Sequence, residues 1–219
     1  MNRILVTGVG GGVGQSILKA LQGSPYRVVA VDSEPLAAGL YAAPAAYRGL
    51  EARQPGYIDR LLEICRAENC QLLFPGLDVE LPPLTEQRDR FRAAGIVPVV
   101  SSSEVVETCD DKLATAAFLQ RHGFPAPRTC RLADAAVPEF PVVLKPQRGG
   151  ARSRRTFVAH NSEEFEVYQR LVDRENCVVQ EYLPGDEYTC GAITFDGRCW
   201  GVIVMRRILR DGDTYKAFV

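Results

Sequence analysis

The sequence predicts an α/β chain in two parts, a helix-covered parallel sheet and then an antiparallel α+β part, on three observations. Residues 1 to about 100 alternate short apolar runs with amphipathic stretches, the pattern of strands joined by crossover helices. Beyond residue 102 strand-length apolar runs follow one another with turn residues between them. The composition, 46% hydrophobic and 24% charged over 219 residues, suits one large or two small globular domains. A chain of this length buries roughly 70% of its unfolded surface. The expected boundaries are residues 1–102 and 103–219.

The elements follow in order. Arg3–Thr7 is a short apolar strand, and Gly8–Gly14 a glycine-rich turn. Val13, Ile17, Leu18 and Leu21 recur at helical spacing. Arg27–Asp32 is a buried-strand pattern, and Tyr57–Glu68 a helix with Ile58, Leu61, Leu62 and Cys65 on one face. Leu72–Phe74 is a strand halted by Pro75-Gly76. Pro82-Pro83 fit the first turn of a helix that continues to Ala94, before a strand over Ile96–Val100. Ser101–Ser103 supply caps for a short helix near Val105–Cys109, and Lys112–His122 is a helix ended by Gly123 and Pro125. Strands are then expected over Val142–Lys145, Thr156–Ala159, Cys177–Tyr182, Glu187–Phe195 and Trp200–Arg207, with a Ser162-capped helix over Ser162–Arg174. Asp196-Gly197 between two strand patterns is a hairpin-turn signal.

The bulk numbers exclude several function classes. A net charge of −1 offers no footprint for nucleic acid or an anionic membrane. The start runs directly into a strand, with no signal-peptide pattern, and no apolar run reaches the ~18 residues of a membrane span. Seven cysteines contain no Cys-x-x-Cys pair, and the only histidines are His122 and His160, so no zinc site is expected. The reading is reduced, mostly buried thiols in a cytoplasmic protein.

The glycine turn Gly8–Gly14 and Asp32 at the end of the next strand invite a dinucleotide reading, and with it an oxidoreductase. The third glycine of G-x-G-x-x-G would fall on Val13, so the turn serves chain geometry, an anion at the helix start, or a dinucleotide. Asp78 and Glu80 after the fourth strand either edge a cleft or lie in a solvated loop.

Four later segments carry the chemistry: Asp110-Asp111-Lys112, Pro141–Pro146 ending in Lys145, the glycine- and arginine-rich Gln147–Arg155, and Val178–Tyr188. A lysine at a strand end is a mobile point charge suited to phosphates. A loop of small residues can cradle oxygens with its N–H groups. Four arginines in nine residues suit phosphate or an acidic substrate. G-x-x-x-x-G-K-[ST] and the kinase signatures are absent.

The order and wording of these segments resemble the ATP-grasp superfamily, most of all its carbamoyl-phosphate-synthase-like carboxylate–amine ligases. The resemblance implies a Rossmann-like pre-ATP-grasp domain, then an ATP-grasp domain with its C-terminal part absent. It implies that Lys112, Val143, Lys145, Gly149, Gly150, Ser153, Gln180, Glu181, Tyr182, Leu183 and Glu187 bind ATP. Within that set Gln180–Leu183 form the adenine hinge and Glu187 holds the ribose. Arg155 stands where a glycine is common. Lys145, Arg206 and Lys216 are implied catalytic residues near phosphoryl transfer. The family's magnesium ligands, a glutamate and a later Glu-x-Asn pair, have no counterpart before Val219, so Mg2+ is expected of the family domain and no metal ligand is assigned here. The implied parent reaction joins a small carboxylate to an amine or similar nucleophile through an acyl phosphate. The expectation for these 219 residues is nucleotide binding with little turnover, or a non-catalytic nucleotide-binding module, and a homo-oligomer is open.

Overall fold

The computed structural model describes residues 2–136, 139–149, 155–210 and 213–219, the side chains of Asp213 and Thr214 excepted. The chain forms two compact units, Met1–Glu107 and Thr108–Val219.

The first unit is a five-stranded sheet, all of it parallel. Its strands are β1 (Arg3–Val6), β2 (Arg27–Asp32), β3 (Ala45–Arg48), β4 (Cys70–Phe74) and β5 (Val97–Pro98), in the order β3-β2-β1-β4-β5. The sheet is buried on both faces, which is why β1 and β2 read as unbroken apolar runs. Leu5, Val29, Val31 and Leu73 point into one core with Leu61, Leu62 and Ile64 of helix α2 (Tyr57–Ala67). Their strand neighbours Ile4, Val6, Val28 and Ala30 point the other way, against Ile17, Leu18 and Leu21 at helix α1 (Gly12–Ala20) and just beyond it. The two-residue period of strand side chains separates the sets.

Several boundaries differ from the sequence reading. The helix expected to run to Ala94 is two helices, α3 (Leu81–Glu86) and α4 (Arg88–Ala93). Gln87, at φ −99° and ψ 15°, breaks it, and Arg88 reaches from the break to the Ser101 carbonyl at 2.6 Å. Strand β5 is only two residues long because Pro98 has no N–H to donate. β3, an alanine-rich strand at the sheet edge, carries too little hydrophobic contrast to be read from sequence.

The second unit starts within the last turn of helix α5 (Ser103–Asp110) and includes helix α6 (Lys112–Arg121). One antiparallel sheet has the order β6-β9-β7-β8, with β6 (Thr129–Arg131), β7 (Val142–Pro146), β8 (Phe157–Ala159) and β9 (Cys177–Glu181). Val142, Leu144, Cys177 and Val179 pack beneath it with Phe165 of helix α7 (Ser162–Gln169). That helix is capped by Asn161 and not by Ser162: the Asn161 side chain accepts the Glu164 N–H at 2.9 Å. It stops short of Arg174, where the Asp173 carboxylate accepts the Glu175 N–H and the Asn176 amide, building a turn in place of the last helical residues.

A separate antiparallel sheet contains β10 (Glu187–Phe195), β11 (Arg198–Arg210) and β12 (Asp213–Phe218). Asp196 and Gly197 join the first two with φ of 48° and 72°, the left-handed pair of a type I′ turn. Among its described residues only Thr189, Met205 and Arg207 are half-buried; the rest are exposed. Cys190 and Cys199 lie on this sheet. With Cys109 and Cys130 they make four exposed thiols against three buried ones, Cys65, Cys70 and Cys177, so the expectation of mostly buried cysteines is corrected. No helix of the described residues is long and apolar enough to cross a membrane.

Candidate functional site

The pleat of the four-stranded sheet builds the site. Leu144 and Val142 face the core, so Val143 and Lys145 face the other side. In the antiparallel register Val143 lies opposite Gln180 and Lys145 opposite Val178, which puts Val143, Lys145, Val178 and Gln180 on one face. Lys145 and Gln180 are diagonal neighbours across the pair, and Lys145 Nζ donates to Gln180 Oε1 at 2.6 Å. Gln180 Nε2 donates to Thr129 Oγ1 at 2.8 Å, and that hydroxyl donates to the Pro127 carbonyl at 2.9 Å. The glutamine is thereby fixed with its oxygen toward the lysine.

Lys112 comes to the same place from α6. Asp111, buried to 5% exposure, caps that helix by accepting the Leu113 and Ala114 N–H groups at 2.9 and 3.2 Å. Its other oxygen accepts Gln147 Nε2 at 2.8 Å and pairs with Arg148 at 3.0 Å. Lys112 N donates to the Gln147 carbonyl, Gly149 N donates to Asp110, and Lys112 Nζ donates to the Gly149 carbonyl at 2.9 Å. One acidic pair thus fastens the chain leaving β7 to the start of α6. Gly149 has φ 64°, a backbone position that a side chain would strain.

Burial disfavours the charge of both lysines. Burial lowers the Lys145 pKa below the ordinary lysine value, and the Lys112 ammonium lowers it further. Burial also lowers Lys112, with Asp110 and Asp111 opposing. Two half-buried ammonium groups close enough to repel each other are stabilised by an anion placed against both. The Asp111 carboxyl lies below its usual value: burial acts against this, and the hydrogen bonds from Gln147, Ala114 and Leu113 outweigh it, with Arg148 adding to them.

The remaining expected residues fall as follows. Glu181 ends β9; its carboxylate accepts the Arg128 N–H at 3.1 Å and lies 3.7 Å from that guanidinium. Tyr182 and Leu183 follow outside any strand, with exposed side chains. Glu187, Arg206 and Lys216 lie on the three-stranded sheet. Glu187 stands opposite Arg207, 3.8 Å away, while Arg206 pairs with Asp186 at 2.8 Å. Lys216 is opposite Ile208, two residues from Arg206, so Arg206 and Lys216 share one face and Glu187 occupies the other. Gly150 and Ser153 lie outside the described residues. Lys112, Val143, Lys145, Gly149 and Gln180 are therefore brought together. Of the residues that hold them, Asp111 and Gln147 stood in the singled-out segments without an assigned role, and Thr129 was missed; the role of Asp111 could have been found as an N-cap residue directly before a helical run.

In the first unit, Asp32 accepts the Gly10 N–H at 2.7 Å and the Glu34 N–H at 2.9 Å, so the carboxylate holds the glycine turn itself. A Cβ on Gly14 would lie 2.3 Å from the Gly8 carbonyl, which is why the turn needs glycine there. Glu80, one expected outcome for which was a solvated loop, is buried to 4% exposure. It accepts Thr7 Oγ1 at 2.6 Å, Tyr57 OH at 2.8 Å, and the Gly76 and Leu77 N–H groups at 3.1 Å. Burial pushes its pKa above the usual carboxylate value despite those four donors.

Residues 109–216 match the ATP-grasp domain and residues 4–100 the PylC-like N-terminal domain. The chain belongs to the ATP-grasp superfamily. A D-alanine–D-alanine ligase from Francisella philomiragia is 28% identical over 153 residues, 68% of this chain and 50% of that protein. The ADP complex of N5-carboxyaminoimidazole synthetase from Staphylococcus aureus matches with a TM-score of 0.75 at 15% identity, over 99% of this chain and 57% of that one. An L-amino acid ligase from Bacillus licheniformis gives 0.65 at 15% identity, over 94% and 50%. At such identity these structures establish the ATP-grasp fold alone. The chain spans about half the length of the curated relative it matches.

Proposed function

We propose that the ATP-grasp unit binds ATP with its phosphates against Lys112 and Lys145. The observation that carries this reading is the pair of half-buried lysines at the end of β7, Lys112 bonded to the Gly149 carbonyl and Lys145 to the Gln180 side chain. Asp111 and Gln147 fix the chain that leaves β7, so its main-chain N–H groups start from a set position. Val143 offers apolar surface beside Lys145. Tyr182 and Leu183, exposed just past β9, would supply the hinge for a base, with Glu181 held beside them by Arg128.

Bound ATP would supply a γ-phosphoryl group to activate a carboxylate for attack by an amine. In that scheme the two lysines neutralise charge on the phosphates and orient them. Arg206 and Lys216 are proposed on the reacting side and Glu187 at the ribose. No group of three or more His, Cys, Asp or Glu side chains that could hold a metal ion converges among the described residues. Ligation by the whole protein, its carboxylate and its amine belong to the same proposal. Lys112→Met and Lys145→Met tested against a non-hydrolysable ATP analogue decide it: both variants should bind less tightly, and unchanged affinity in both would end the assignment.

A further inference from the structure

Two of the buried cysteines meet across a helix end in the first unit. Cys65 stands in the last turn of α2, and Cys70 opens β4. Between them the chain leaves the helix through Asn69, a left-handed residue at φ 51°. Its N–H donates to the Arg66 carbonyl at 3.1 Å, and the Glu68 N–H donates to the Ile64 carbonyl at 3.0 Å. A helix that ends on a left-handed residue in this way brings the side chain three positions before its cap against the one two positions after it. With Glu68 as the cap, those two are Cys65 and Cys70. Both belong to one core cluster with Leu61, Leu62 and Leu73, and they are 1% and 5% exposed.

The turn over the thiols is held in place. The Glu68 carboxylate accepts Tyr47 OH at 2.6 Å and pairs with Arg3, which ties it to β3 and β1. The Gln71 side chain accepts the Arg3 N–H at 2.8 Å. A bond between the thiols therefore needs no rearrangement of the sheet. The two sulfurs are also unequal. A hydrogen bond from Cys65 favours a thiolate at Cys70, against burial and the Glu68 charge and with help from Arg3. The same bond, together with burial, pushes the Cys65 thiol up, so Cys65 keeps its proton. One thiol is set to attack and the other to follow.

We propose that Cys65 and Cys70 are a redox modification site, joined by hydrogen peroxide into a disulfide that fastens the end of α2 to the start of β4. The Cys70 thiolate attacks one peroxide oxygen; an S–O bond forms, the O–O bond breaks and hydroxide leaves. The Cys65 sulfur then attacks the sulfenic sulfur; the S–S bond forms and the second hydroxide leaves. The two thiol protons and the two hydroxides make two waters, and the peroxide takes up the two electrons that the thiols lose. Arg66, Ala67, Asn69 and Gln71 are exposed, so fraying of the helix end admits a molecule as small as peroxide. Neither the site nor its test depends on nucleotide binding.

The test uses the full chain, with its four exposed thiols alkylated in the native state before excess hydrogen peroxide is added. Trypsin cuts after Arg66, between the two cysteines. The expected product is residues 61–66 joined to residues 67–88, two hydrogens lighter than their sum, and dithiothreitol should separate them. Cys65→Ser should abolish the joined peptide and leave Cys70 as a sulfenic or sulfinic acid, and Cys70→Ser should leave Cys65 as a thiol. The parent protein decides the matter even where a serine variant does not fold. Three results would overturn the proposal: both thiols still free when the peroxide-treated chain is denatured, Cys70 oxidised to an acid beside a free Cys65 in the parent, or either cysteine bonded to Cys177 instead.

Discussion

Replacing Lys145 with methionine keeps most of the length of the side chain and removes its charge. Lys145 is half-buried and is held by one hydrogen bond to Gln180 at 2.6 Å, with the Lys112 charge nearby. A charge-assisted contact to a phosphate contributes about 1.5–3 kcal/mol, so triphosphate affinity should fall about tenfold to hundredfold. Adenosine, which brings no phosphate, should bind the variant as well as the parent. The unliganded variant should be at least as stable, because a desolvated, repelled ammonium is gone while Thr129 still holds Gln180. The pH dependence has a definite sign. The folded pKa of Lys145 is lowered, so between it and the unfolded value the unfolded chain binds more protons. Stability of the parent therefore rises with pH through that alkaline window, and Lys145→Met should flatten the rise. Triphosphate affinity should fall over the same window as the free lysine loses its proton. Calorimetry with the triphosphate analogue and with adenosine, beside thermal melts across pH, reads all of this. Equal loss for both ligands would refute the placement of phosphates at Lys145.

Other outcomes follow from the same geometry. Glu80→Ala should destabilise the first unit by about 3 kcal/mol or more, since four donors, three of them in buried hydrogen bonds, lose their acceptor. With Glu80 present, stability should fall as pH rises through its raised pKa, and Glu80→Gln should flatten that fall in thermal melts. Asp111→Ala removes a helix cap and should cost about 1 kcal/mol or somewhat more, and it should also weaken triphosphate binding; Asp111→Asn should restore most of the melting temperature. Glu187→Ala should reduce affinity for a ribonucleotide more than for its 2′,3′-dideoxy analogue, at less than about 1 kcal/mol of stability because Glu187 is exposed and 3.8 Å from Arg207. A thiol reagent should reach four cysteines in the native protein and all seven in denaturant.

The parallel sheet was legible because both its faces are buried, so β1 and β2 announce themselves as apolar runs. Lys112, Lys145 and Gln180 were named from segments that resemble the ATP-grasp series, each beside a recognisable strand or helix end, and the structure brings the three together. What stayed hidden was the set of side chains that hold them. Gln147 and Thr129 carry no periodic signal, and their partners Asp111 and Gln180 lie 36 and 51 residues away. Glu80 shows the same limit. One acid after a strand looks solvated in sequence, yet Thr7 and Tyr57, 73 and 23 residues away, enclose it. The ends of helices failed where a local side-chain bond competed with the helix, as at Asn161 and Asp173.

The most direct measurement is a calorimetric titration of the 219-residue chain with a non-hydrolysable ATP analogue, with and without magnesium, beside reduced nicotinamide cofactor. Two lysines poised for phosphate predict saturable binding of the ATP analogue that is lost in Lys145→Met, and none of the nicotinamide. Nicotinamide binding without ATP-analogue binding would contradict this, and would move the nucleotide to the glycine turn of the first unit.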